Sequence, residues 1–148
     1  MSALRRGTID DLAAVTALQQ AAYAQNRAIL GVEPLPLLAD YREILSEYEA
    51  WLADEPEGLA GVLILAARTD DLLIWSVATA PFARGRRIGN HMLAFAESRA
   101  RMLGLSCIRL YTGEPLTANI AWYTRQGYAH ERTEDMGDRR IVHLIKQL

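Results

Sequence analysis

The chain has 148 residues, a formal net charge of −2 and 51% hydrophobic residues. That length suits one domain spanning residues 1–148, which would bury roughly 68–70% of its unfolded surface. The apolar content and low net charge exclude wholesale disorder and a polybasic binder as global descriptions. Lys146 is the sole lysine, so 15 of the 16 cations are arginines, a bias that genome base composition commonly produces.

Leu4 to Thr8 reads as a short strand, and Asp10 and Asp11 stand where helix N-caps stand. Leu12, Val15, Leu18 and Ala22 follow at helical spacing, which predicts a helix over Asp11 to Gln25. Gly31 to Pro36 is a loop, and Leu37 to Leu45 a second helix. Tyr48 to Ala53, Leu59 to Arg68 and Leu72 to Thr79 read as three strands joined by tight turns and hence antiparallel. The continuous apolar run from Leu59 suits a strand covered on both faces. Gly89 to Leu103 carries a helical stripe ended by Gly104. Ser106 to Thr112 is a strand, Thr117 to Gln126 a short helix ended by Gly127, and Tyr128 to Thr133 and Arg140 to Lys146 two final strands. The sum is one α/β domain with mixed strand directions.

Cys107 is the only cysteine, too few for a disulfide or a zinc site, and it lies in an apolar run. His91, His130 and His143 lack metal-ligand spacing, so no metal is expected. No apolar stretch approaches the ~20 residues of a membrane helix. Nothing apolar follows the arginines of Met1 to Arg6, so a cytoplasmic protein without membrane contact is expected.

The most informative segment runs from Val77 to Asn90. A buried strand enters a Gly/Arg loop that opens a helix. First-turn N–H groups and the positive end of the helix dipole can hold an anion, with Arg84, Arg86 and Arg87 nearby. Gly85 and Gly89 allow close backbone approach and positive φ. The P-loop pattern and the dinucleotide fingerprint are both absent.

Arg84, Arg87 and Gly89 resemble the acyl-CoA-binding motif [Gln/Arg]-x-x-Gly-x-[Gly/Ala] of the GNAT N-acetyltransferase superfamily, with Arg87 in place of the first glycine. Asn119, Tyr123, Gly127 and Tyr128 are similar to the family's later motif. Asn119 and Tyr123 are four apart and share a helix face. The resemblance implies an α+β GNAT-like fold: a mixed, mostly antiparallel twisted sheet of about six or seven strands with about four helices.

It further implies transfer of an acetyl group from acetyl-CoA to a primary amine of a small molecule, protein or peptide. Val77, Ala78 and Thr79 would line the pantetheine. Arg84, Gly85, Arg86, Arg87, Ile88, Gly89 and Asn90 would hold the phosphates. Asn119 would bond the pantetheine or pyrophosphate region, and Tyr123 would protonate the leaving thiolate. A main-chain N–H near Val77 would hold the oxyanion. The strand from Leu72 to Thr79 lacks the glutamate that many members use as base. A water chain to Ser76, an acid at Glu47 or Glu49, or no dedicated base remain open.

Tyr23, Asn26, Arg27, Trp75 and Tyr111 are candidate acceptor contacts. Residues 40–57 carry net charge −6 and residues 84–109 net +5. This pattern suits either a cationic acceptor or a solvated acidic face. A non-catalytic acyl-CoA-sensing or partner-binding domain is the main alternative. A nucleic-acid-binding module fits poorly, for want of a basic stripe with aromatics. Homodimers are frequent in the family.

Overall fold

A computed structural model describes residues 3–148; Met1 and Ser2 of the N-terminal run lie outside them. The strands are β1 (Arg5–Arg6), β2 (Glu49–Glu55), β3 (Gly58–Ala67), β4 (Leu72–Thr79), β5 (Cys107–Gly113), β6 (Ala129–Asp135) and β7 (Arg140–Gln147). The α-helices are α1 (Leu12–Tyr23), α2 (Asn26–Leu30), α3 (Tyr41–Glu47), α4 (Ile88–Met102) and α5 (Thr117–Arg125). All seven strands form one sheet in the order β1-β2-β3-β4-β5-β7-β6. Every neighbouring pair is antiparallel except β4 and β5.

This matches the expected mixed sheet, with five α-helices rather than four. The helix expected over Asp11 to Gln25 is α1, ending at Tyr23, and the short α2 follows beyond the expected span until Gly31 ends it at φ 73°. The helix expected at Leu37 begins instead at Tyr41, because Asp40 caps it by accepting from the Arg42 N–H at 3.0 Å. A 3₁₀ turn at Leu35–Leu37 precedes it. At the chain's start Thr8 and Asp11 form a capping box, the Asp11 carboxylate accepting from the Thr8 N–H at 2.8 Å.

The apolar run of β3 is explained by burial on both sides. Leu63 and Leu65 join one core under α4, while Val62 and Ile64 join a second core under α1 and α3. Successive strand residues face opposite ways, so both sets must be apolar.

The break in the sheet has a local cause. Ile64 pairs with Ser76 and Leu65 with Ile74, so Trp75 is an extra residue in β4. Such a bulge bends its strand and raises its twist. It also reverses the parity: Ile74 and Val77 both face the α4 core, whereas Trp75 and Ala78 face the α1 core. On its other edge β4 meets β5 only at Leu72–Ile108 and Leu73–Arg109. Beyond Leu73 the two strands part.

The start of α4 is seated on β3 at Gly61. A Cβ at Gly61 would stand 2.8 Å from Ile88 Cγ2 and 3.1 Å from Met92 Sδ. Both neighbours are fully buried and Ile88 is stiff at χ1. Gly61→Ala is therefore expected to destabilise the protein by about 1–3 kcal/mol through overpacking. Chemical denaturation checks this; an unchanged midpoint would show that α4 yields without cost.

Candidate functional site

The gap between β4 and β5 opens into a cavity. β4 contributes Ile74 to Val77 and β5 contributes Leu110 to Gly113. Helix α5 adds Asn119 and Tyr123, α1 adds Tyr23, and α2 adds Asn26 and Leu30. The cavity thus gathers Tyr23, Asn26, Trp75, Ser76, Val77, Tyr111, Asn119 and Tyr123, all candidates from the sequence. A groove at the N-terminus of α4 adjoins it and shares Val77. It is lined by Thr79, Arg84, Gly85, Arg87, Ile88, Gly89, Asn90 and Trp122.

Two expected cofactor residues fall elsewhere. Ala78 is buried in the α1 core, on the opposite face from Val77 and Thr79. The Arg86 guanidinium turns to Glu57, donating at 2.5 Å, and lies over the Phe82 ring at 5.7 Å.

The groove is rich in free donors. Among the described residues, no acceptor meets the backbone N–H groups of Gly85 through Asn90; the first α4 bond runs from His91 N–H to the Arg87 carbonyl at 3.1 Å. Six consecutive donors at a helix N-terminus form an anion-binding concavity. The chain reaches this arrangement through two left-handed residues, Gly85 at φ 84° and Arg87 at φ 62°. Gly89 is not left-handed. It is needed for space instead, since a Cβ there would stand 3.2 Å from the Trp122 ring. The Arg84 guanidinium points back to the end of α1, donating to the Ala22 carbonyl at 3.5 Å and to Gln25 Oε1, just past the helix, at 3.3 Å.

Tyr123 is half-buried and packs edge-on to Tyr128 at 5.9 Å. Its hydroxyl has no hydrogen-bond partner among the described residues. Burial holds its phenol well above the ordinary tyrosine value, and Tyr23 and Tyr128 add to the effect. Tyr123 therefore keeps its proton throughout the neutral range.

Ser76 is buried within a polar chain. Gln19 Nε2 donates to Tyr41 Oη and to Ser76 Oγ, both at 2.9 Å, and Tyr41 donates to the Pro36 carbonyl at 2.6 Å. Ser76 Oγ and Tyr23 Oη are hydrogen-bonded at 2.8 Å. Ser76 has two acceptor lone pairs, so either hydroxyl can donate in that bond, and the Tyr23 hydroxyl ends the chain in the cavity. Sequence reading missed Gln19, because nothing local marks a buried amide on a helix.

Neither Glu47 nor Glu49 lines the cavity. Glu49 accepts from Arg99 at 2.8 Å and from the Trp51 indole at 2.9 Å. The opposed charges of residues 40–57 and 84–109 are therefore partly spent on each other, through Glu49–Arg99 and Glu57–Arg86. Arg27 pairs with Glu33 at 2.6 Å and does not line the cavity. His143 bonds Glu134, and His130 bonds Thr133.

Position 87 demands φ > 0, which costs a residue with a Cβ about 1–3 kcal/mol, against roughly 0.4–1 kcal/mol of extra unfolded-state entropy for glycine. Arg87→Gly is expected to leave the protein as stable or up to about 2.5 kcal/mol more so. Thermal unfolding checks this; a clear loss of stability would mean that the Arg87 side chain anchors the loop.

Three kinds of comparison bear on this arrangement. A family model described as the acetyltransferase (GNAT) family matches residues 14–128. No curated protein matches the chain in sequence. Among solved structures, the PaiA N-acetyltransferase of Thermoplasma acidophilum in complex with coenzyme A aligns with TM-score 0.80 and 19% identity, covering 100% of both chains. The ribosomal-protein-S18-alanine N-acetyltransferase of Escherichia coli aligns with TM-score 0.75 and 15% identity over 99% of this chain and 94% of that one. Nourseothricin acetyltransferase aligns with TM-score 0.63 and 19% identity over 68% of this chain, and this chain spans 65% of its length. The family match spans the groove, the β4–β5 gap and α5, and the chain belongs to the GNAT acetyltransferase family.

Proposed function

We propose that residues 1–148 form a single cytoplasmic acetyltransferase domain that moves an acetyl group from acetyl-CoA to a primary amine. The acceptor is a small molecule or a protein amino group. The observation that carries this reading is the run of six unpaired N–H donors at the start of α4, opening onto the β4–β5 gap. In chemistry it fits a pyrophosphate, and the gap beside it fits an extended amide-bearing arm. Arg84 and Arg87 supply charge at the rim of the groove.

Acetyl-CoA supplies an acetyl thioester. The β4 edge past Leu73 offers main-chain donors and acceptors to the arm, with a donor near Val77 for the oxygen that gains charge. The amine nitrogen bonds the acyl carbon as the carbon–sulfur bond breaks, and one amine proton leaves. Tyr123 holds its proton at Oη for the departing sulfur. Burial raises its pKa, which keeps the acid form present. Asn119, one turn earlier on α5, supplies an amide beside it.

No Asp, Glu or His lines the cavity among the described residues. The amine must arrive neutral or shed its proton to water, with Tyr23 and Ser76 offering hydrogen-bonding positions. The ascending limb of kcat/KM against pH is thus expected to move with the pKa of the acceptor amine. A limb fixed near one value for all amines would instead reveal an enzyme base.

The deciding experiment is a screen for CoA-thiol release across amino acids, polyamines, aminoglycosides and peptide N-termini. Tyr123→Phe is expected to lower kcat by about 10²-fold or more with CoA affinity retained; an unchanged rate removes Tyr123 as the acid. Arg84→Ala with Arg87→Ala should weaken CoA binding measured by calorimetry, and equal affinity would remove the rim charges from the reading.

A further inference from the structure

The cavity's charge is one-sided. Its only charged lining side chains among the described residues are Arg139 and Arg140. Arg139 sits between the β6–β7 turn and β7, and its side chain is 9% exposed. Its Nη1 donates to the Glu33 carbonyl at 2.7 Å, and its Nε and Nη2 donate to Asp138 at 3.3 and 3.2 Å. Those bonds use three of the five guanidinium N–H donors. Asp138 is 60% exposed, so the one carboxylate paired with this buried cation stands in solvent. The Arg140 guanidinium is half in solvent and pairs with Glu114 at 3.1 Å.

A second polar group lacks a partner. Asn26 is 7% exposed and lines the same cavity, yet its side-chain amide makes no hydrogen bond among the described residues. An amide that lines a cavity without a protein partner is free to bond a ligand there. Leu30, Pro34, Leu35, Leu116 and Ile141 make the adjoining wall apolar.

We propose that the acceptor is a primary amine bearing a carboxylate and an apolar side chain, of the class of free apolar α-amino acids. The remaining Arg139 donors and the Asn26 amide take the carboxylate, and the apolar wall takes the side chain. A guanidinium presents its donors in a fork that matches a carboxylate. A polyamine or aminoglycoside would bring further cations to a cavity with no acid to meet them. This deepens the acetyltransferase reading and rests on it; the bond changes are those already given, with the amine converted to its acetamide and the thioester to free thiol.

The test measures thiol release from acetyl-CoA with leucine, methionine and phenylalanine, with their carboxamides, and with spermidine. Amidation lowers the basicity of the amine and so favours the carboxamides chemically. A preference for the acids can then come only from binding. The expected result is a kcat/KM for the acids about tenfold or more above that for the carboxamides, and spermidine lower still. Arg139→Gln should bring the acid-to-amide ratio toward one, and Arg139→Lys should keep part of it. Acids no better than carboxamides in the unaltered protein would overturn the proposal without recourse to any variant. CoA binding with spermidine turned over at least as well as the acids would overturn only the carboxylate assignment. Failure to bind CoA, with no amine turned over, would overturn the acetyltransferase reading beneath it.

Discussion

The extra residue at Trp75 is the constraint on which the site depends. Without it β4 would continue beside β5, and the sheet would close where the cavity now lies. The bulge does two things at once. It bends β4 away after two paired residues, and it shifts the facing of every later side chain by one. Val77 and Thr79 are thereby turned toward α4, while Ser76 reaches the polar chain beneath α1. A strand with regular alternation from Leu72 would have presented Ser76 to the α4 side and Val77 to the other.

Two further elements exploit that opening. Helix α4 is the crossover between the parallel strands, so its N-terminus must begin at the end of β4, where the strands part. Gly61 lets it lie close to β3, and Gly89 lets Trp122 of α5 lie close to it. The small residues thus set the distances between three elements around the gap. The positive end of α4 and the Tyr123 side of α5 meet there because of packing, independently of any ligand.

Much of this was legible along the chain. β4 was bounded to the residue, because an apolar run lies between Asp71 and Pro81, and both residues stop a strand. Helices α4 and α5 were found from their stripes and terminal glycines. The GNAT motifs placed attention on the groove, where eight expected residues gather, and on Asn119 and Tyr123. Two kinds of feature escaped. The first is short-range irregularity: the bulge leaves no mark in composition, and α2 is a single helical turn that runs on from α1. The second is partnership across the fold. The charge imbalance between residues 40–57 and 84–109 suits either a cationic acceptor or a solvated acidic face, whereas Glu49–Arg99 and Glu57–Arg86 join those segments. Arg139 lies one residue before the strand expected from Arg140, and its place in the cavity follows from how β7 lies against β5.

The Arg87 departure shows how a motif residue can change while its physical role persists. The motif that this loop resembles has a glycine at that position. Here the backbone itself requires a left-handed residue, at φ 62°, so that consecutive N–H groups turn the same way before α4 begins. An arginine can adopt that conformation at a cost, and its side chain then stays on the rim of the groove. The donors that the glycine would have exposed are still exposed. What the substitution adds is positive charge beside them. In a chain of net charge −2, whose Arg86 and Arg99 are already paired with acids, that is one of the few places where a cation is left facing an anion-binding groove. The conformational cost at residue 87 and the electrostatic gain there therefore act on the same few atoms, and the balance between them decides whether the arginine is tolerated or useful.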